Sequence, residues 1–199
     1  MRKETFLELI QRVKEVSGIA MPIIVGSHAL YAITDQVPAV VRASVEADFL
    51  LAGDDSDARI EVNQQLGITS AFHDEHGYYA DGLGLATVTL PPGWQDRLQP
   101  LHDPTGQVVA RCLEIHDAAV SKLMAGRDKD WTFLAYLLDA QLIALPGLVE
   151  RAELILQTAA DRALLPRLEK LLAQLQKHHT RYDLTPLRQL IQRLNTLNP

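Results

Sequence analysis

The chain has 199 residues, nearly half of them apolar, and a net charge of −6. That suits one sizeable domain, or a core domain with a small appended one, and it argues against a generally basic nucleic-acid surface; a local basic groove, or an anionic substrate held through metal, stays open. No stretch approaches the roughly 18 uninterrupted apolar residues of a membrane span, and Met1 to Gln11 lack the basic-then-apolar plan of a signal peptide. The single cysteine, Cys112, excludes an internal disulfide and reads as a core thiol within the apolar run Val108 to Leu113. A reducing, cytoplasmic setting without membrane attachment is the expectation.

Phe6, Ile10, Val13 and Val16 recur at helical spacing and predict an opening amphipathic helix. After Pro22, the run Ile23-Ile24-Val25 reads as a buried strand that ends at Gly26-Ser27, and His28 to Ala32 reads as the start of a helix. A loop is expected around Thr34 to Pro38, then a strand over Arg42 to Leu51. Side chains alternate along a strand, so Val45, Ala47, Phe49 and Leu51 share one face, and Ser44, Glu46, Asp48 and Leu50 share the other. Glu46 and Asp48 would then lie roughly 7 Å apart, at a rise of about 3.3 Å per residue. The polar run Gly53 to Asp57 predicts a turn that caps a helix over Ala58 to Leu66.

From Gly67 to Leu90 the pattern reads as short strands and turns, then Leu90-Pro91-Pro92-Gly93-Trp94 as a rigid loop and Val108 to Leu113 as another strand. Asp117 to Leu145 is helical, with a break at Gly126 and an end at Leu145-Pro146-Gly147. Leu148 to Leu197 forms leucine-rich helices, with Thr185-Pro186 as a helix start. Gly82-Leu83-Gly84 lacks the third glycine of a dinucleotide fingerprint, and His73-Asp74-Glu75-His76 reads as a solvated loop rather than a zinc site. His178-His179 is expected to face solvent, and Trp94 and Trp131 to pack.

Two same-side carboxylates on a strand are often only a solvated face. Here the strand is otherwise apolar and follows an apolar strand ending in Gly26-Ser27. Like charges this close repel, and a cation relieves the cost. Magnesium takes hard oxygen ligands of this kind together with substrate phosphates. Gly26 permits close backbone approach, and the N–H groups and Ser27 hydroxyl at a helix start suit a phosphate.

Gly26-Ser27-His28-Ala29-Leu30 followed by Arg42-Ala43-Ser44-Val45-Glu46-Ala47-Asp48 resembles the signature of minimal nucleotidyltransferases of the DNA polymerase β superfamily. Ala119 to Asp130 is similar to the Lys…Arg…Asp motif of AbiEii-type toxins and their bacterial relatives, including the DUF6036 group, which Leu90 to Leu98 also resembles. The resemblance covers about residues 20 to 135.

It implies an α+β fold with a nucleotidyltransferase-like mixed sheet flanked by helices; the order of the predicted elements puts this core over residues 1–115 and a helical region, expected to pack on it, over 116–199. It implies transfer of a nucleotide from a nucleoside triphosphate to a tRNA or protein acceptor, and a role in a toxin–antitoxin pair. Glu46 and Asp48 would hold Mg²⁺ or Mn²⁺, while Gly26, Ser27, Arg42, Lys122 and Arg127 would bind the nucleotide. Lys122 and Asp130 join the carboxylates as catalytic candidates, with Asp130 orienting the cations. Lys122 and Arg127 stand about 500° apart round a helix at 100° per residue, so a break at Gly126 would help both reach one site.

The sequence departs from the pattern in three places. Glu46 stands in place of aspartate and Ser44 in place of threonine. The third carboxylate belongs on a later strand, yet Leu85 to Leu90 contains no acid; Asp81, just before it, is the candidate, although turn aspartates often serve the turn. The alternative is a catalytically degenerate fold acting as an interaction protein. The stripe Leu164, Leu165, Leu168, Leu171, Leu172 and Leu175 would then dock a partner protein or a second copy.

Overall fold

A computed structural model describes residues 1–51, 56–158, 160–177 and 182–197. Gly53, Asp54 and Asp55 of the expected acidic turn, and His178-His179, lie outside the described residues. Two compact units emerge: Met1–Val88 with Gln95–Glu114, and Thr89–Trp94 with Ile115–Pro199.

The first unit is α+β. Its helix α1, Lys3–Ser17, buries Phe6, Leu9, Ile10 and Val13, which share one face at i, i+3, i+4 and i+7, and closes on left-handed Gly18. The strands are β1 (Ile23–Ile24), β2 (Glu46–Leu50), β3 (Tyr79–Leu83), β4 (Gln99–His102) and β5 (Val108–Cys112). They form one mixed sheet in the order β3-β2-β1-β5-β4. β1 runs antiparallel to β2 and parallel to β5, β2 is parallel to β3, and β4 is antiparallel to β5. Ile23 and Ile24 occupy the central strand, where both faces are covered, so a short, wholly apolar strand is the stable choice. Helix α2 is Ala39–Ala43, α3 Ser56–Leu66 and α4 Ala71–His76.

One face of the sheet is apolar because β2 and β3 alternate. Ala47, Phe49 and Ala80 are fully buried. The Phe6 ring of α1 lies 6.2 Å from that of Phe49, and also stacks on His28 and Tyr31 of the 3₁₀ turn Ser27–Ala32. α3 covers β3, an edge strand. There the Asn63 side chain donates to the Gly82 carbonyl at 3.0 Å and accepts the Gly82 N–H at 2.7 Å. One amide thus satisfies both outward-facing backbone groups of an edge residue, which would otherwise invite another strand.

The second unit is helical: α5 (Ile115–Ala125), α6 (Asp128–Asp139), α7 (Leu145–Glu153), α8 (Asp161–Lys177) and α9 (Thr185–Leu197). The break expected at Gly126 separates α5 from α6, and its φ of +64° is a conformation that favours glycine. The Arg167 guanidinium caps α5 by donating to the carbonyls of Met124 and Ala125. Leu164, Leu168, Leu171 and Leu175 of α8 are buried in this unit's own core, as are Leu187, Leu190 and Leu194 of α9. Asp117, with no exposed surface, is held by Arg151 at 2.6 Å. Trp94 and Trp131 are both buried, as expected. Among the described residues, no helix is long and apolar enough to cross a membrane.

Several boundaries differ from the sequence reading. The expected strand over 42–51 is only Glu46–Leu50; Pro38 starts α2 instead, so Arg42 is helical. His73 to His76 lie in α4, capped by the Ser70 hydroxyl, rather than in a loop. Leu145-Pro146-Gly147 opens α7 with proline in its first turn, and does not end the preceding helix. The helix start expected at Thr185-Pro186 is where α9 begins, although Asp183, not Thr185, supplies the side-chain acceptor there, taking the Thr185 N–H. β4 was not foreseen, since Gln99-Pro100-Leu101-His102 has neither β-branched residues nor clean alternation.

Cys112 is fully buried on β5, and burial pushes its thiol up to about 12. The folded value lies above the unfolded one, near 8.5. The contribution from keeping the thiol neutral is therefore complete below about pH 8.5 and is lost as pH rises toward 12. Native protein at pH 8 should leave a chromogenic disulfide reagent unreacted, while urea-unfolded protein should release one equivalent at once.

Candidate metal centre

The alternation that buries Ala47 and Phe49 turns Glu46 and Asp48 to the opposite face, and both are half-buried. The parallel pairing of β2 with β3 then decides what lies beside them. Glu46 is opposite Tyr79, and Asp48 is opposite Asp81. One carboxylate oxygen from each of Glu46, Asp48 and Asp81 lies within 4.8 Å of the other two. The sequence reading placed Asp81 in a turn before a strand at 85–90. In fact Asp81 is the central residue of β3, and Leu85–Thr87 is a 3₁₀ turn with Leu85 exposed. β propensity misled there because the Leu85 segment has no partner strand, while Tyr79–Leu83 has β2.

Gly26 sits against this cluster. The Val25 N–H donates to the Asp48 carbonyl at 3.1 Å, which brings the chain alongside β2 just as it turns. A Cβ added at Gly26 would lie 1.9 Å from Asp48 Oδ2. Its φ of −85° is open to any residue, so close approach, not backbone freedom, requires glycine here. Ser27 follows, half-buried, at the start of the expected helix, which is a six-residue 3₁₀ helix.

Tyr79 is a site neighbour that sequence reasoning missed, because only the strand register reveals it. Its hydroxyl donates to Glu46 Oε2 at 3.2 Å. Burial, then the charge and hydrogen bond of Glu46, then Asp81 and Asp48, push the phenol up to about 12. Arg42 is exposed on α2, and lines a pocket of about 600 Å³ with Arg2, Lys3, Tyr31 and His102 but with none of the three carboxylates.

Lys122, Arg127 and Asp130 meet within the helical unit. Asp130 is buried and accepts from the Arg127 backbone N–H at 3.0 Å and from Arg127 Nε at 2.8 Å. Lys122 Nζ lies 3.7 Å from its other oxygen. Arg127 is the N-cap of α6 and Asp130 its third residue, so the acid both caps the helix and pairs with two cations.

Three carboxylates so close repel one another, and a divalent cation with hard oxygen ligands fits them in charge and donor type. The missing side chain at Gly26 keeps the Asp48 carboxylate in the cluster. Among the described residues no other such group of three ligating side chains occurs. His73 and His76 instead direct Nδ1 at the carbonyls of Ile68 and Phe72.

A mixed sheet flanked by helices, with three carboxylates on neighbouring strands beside a glycine turn, is the architecture of a nucleotidyltransferase-like protein. Residues 4–153 match the DUF6036 family, described as a nucleotidyltransferase of unknown function, and the chain belongs to it. No curated protein and no solved structure matches the chain.

Two variants probe these arrangements. Gly26→Ala puts its Cβ 1.9, 2.8 and 3.0 Å from Oδ2, Cγ and Cβ of Asp48, so the whole carboxylate must turn away, and Mn²⁺ affinity should fall as far as in Asp48→Ala, read by electron paramagnetic resonance. Asp130→Ala should cost about 3 kcal/mol in urea denaturation, and Asp130→Asn less, because the amide oxygen still caps α6.

Proposed function

We propose that this protein moves a nucleotidyl group from a nucleoside triphosphate to a hydroxyl of an RNA or protein acceptor, using Mg²⁺ or Mn²⁺. The single observation carrying this reading is Asp81 in register with Asp48. It supplies a third carboxylate to Glu46 and Asp48 in a family described by this activity. The acceptor oxygen bonds to the α-phosphorus, pyrophosphate leaves, and the hydroxyl proton passes to a neighbouring base.

Glu46, Asp48 and Asp81 would hold the cation, which supplies neutralisation of triphosphate charge and alignment of the reacting oxygen. Ser27, beside the Gly26 turn, would meet a phosphate oxygen. Lys122 and Arg127, oriented by Asp130, are assigned to phosphate as well, Arg127 through its bidentate fork. Arg42 is assigned to the nucleotide by its place ahead of the acidic strand. AbiEii-like kinship, a toxin–antitoxin role and a cytoplasmic setting complete the proposal.

A degenerate interaction protein was the competing reading. It rested on a missing third acid and on an unpartnered leucine stripe. Asp81 stands with the other two acids, which supports the transferase reading; of the stripe, Leu164, Leu168, Leu171 and Leu175 are buried, while Leu165 and Leu172 are half-buried.

The test is incubation with each labelled triphosphate, Mg²⁺, and total tRNA or total protein. Wild type should label one pool, and Asp48→Ala and Asp81→Ala should each reduce labelling on the order of a hundredfold or more. Equal labelling by wild type and both variants would contradict the reading.

A further inference from the structure

We propose that Tyr79 is a positioning residue for Glu46, holding the longer carboxylate in the orientation that brings it to the cation shared with Asp48 and Asp81. This rests on the metal-dependent reading of the site. A glutamate has one more rotatable bond than the aspartate of the family pattern, so its carboxylate sweeps a larger volume and must be ordered before it serves as a ligand. The structure contains the ordering device. Tyr79 stands directly opposite Glu46 in the β2–β3 register, and its hydroxyl donates to Oε2 at 3.2 Å. A carboxylate has about four lone-pair positions, and the Tyr79 hydrogen bond takes one of them.

The phenol is itself held. The His73 ring meets the Tyr79 ring edge-on, with centroids 5.0 Å apart at 70°. His73 is fixed in turn by its Nδ1, which donates to the Ile68 carbonyl at 2.8 Å; a carbonyl only accepts, so Nδ1 carries the proton. Three residues along β3, Asn63 clamps both backbone groups of Gly82. The strand, the ring and the hydroxyl therefore have one arrangement, and the carboxylate inherits it. An aspartate at position 46 would withdraw the carboxylate by one carbon–carbon bond, about 1.5 Å, beyond the reach of the hydroxyl. Tyr79 and Glu46 thus work as a matched pair, and Tyr79 acts through Glu46 without touching substrate.

The experiment is a Mn²⁺ titration of the full chain by electron paramagnetic resonance, for wild type, Tyr79→Phe, Glu46→Asp, the double variant Glu46→Asp/Tyr79→Phe, and Asp48→Ala. Tyr79→Phe keeps the ring against His73 and removes only the hydroxyl. It should weaken Mn²⁺ binding about tenfold, as loss of a hydrogen-bond partner of a metal ligand commonly does. In the Glu46→Asp background the same change should have no effect. Equal losses in both backgrounds would mark Tyr79 as merely structural and overturn the proposal, as would a Tyr79→Phe variant that binds like wild type while Asp48→Ala does not bind. A wild type that fails to bind Mn²⁺ would instead overturn the metal reading and this inference with it. Any general loss of fold in Tyr79→Phe weakens both backgrounds alike, so the double variant separates the two causes.

Discussion

The site depends on one register: β2 and β3 run parallel with Asp48 across from Asp81 and Glu46 across from Tyr79. Side chains alternate with a period of two, so a slip of one residue on either strand would turn its acids to the other face. That face is the apolar layer of Ala47, Phe49 and Ala80, packed under α1 and α3. A carboxylate pushed there would lose its water without a partner, at a cost of several kcal/mol. The same pairing forces like charges together on the open face. The hydrophobic face thus selects a register whose electrostatic cost a cation can relieve.

Other features of the unit hold that register. Phe6 of α1 reaches Phe49 on β2, which anchors the strand carrying two of the acids. Asn63 closes the outer edge of β3 at Gly82, one residue beyond Asp81. Gly26 lets the chain leaving β1 pass against the Asp48 carboxylate, where any Cβ would collide with it. Tyr79 ties the fourth position of the quartet to Glu46. The helical unit has a buried polar centre of its own, in which Asp130 gathers Lys122 and Arg127 at the start of α6.

Local signals in the sequence were sufficient for much of this. Helical spacing disclosed α1, glycine disclosed the α5–α6 break, and the alternation around Glu46 and Asp48 disclosed which acids share a face. The mixed sheet flanked by helices followed from the resemblance, and membership of the DUF6036 family agrees with it. Non-local pairing was not legible. Asp81 looked like a turn residue because Gly77, Gly82 and Gly84 punctuate the segment, yet Gly82 lies inside β3, where its bare backbone accommodates Arg59 and Asn63 of α3. Tyr79 carried no local sign of its bond to Glu46, which exists only once two strands are paired. Arg42 read as strand because it stands at the head of the alternating run to Leu51, and the helix start at Pro38 takes it into α2 instead.

The central claim is that Glu46, Asp48 and Asp81 together hold a divalent cation. Anomalous X-ray scattering from crystals grown with Mn²⁺ and a non-hydrolysable triphosphate tests it most directly. The account predicts a manganese peak within coordinating distance of all three carboxylates, with triphosphate oxygens completing its shell. Manganese bound elsewhere, or at Glu46 and Asp48 with Asp81 turned away, would contradict it.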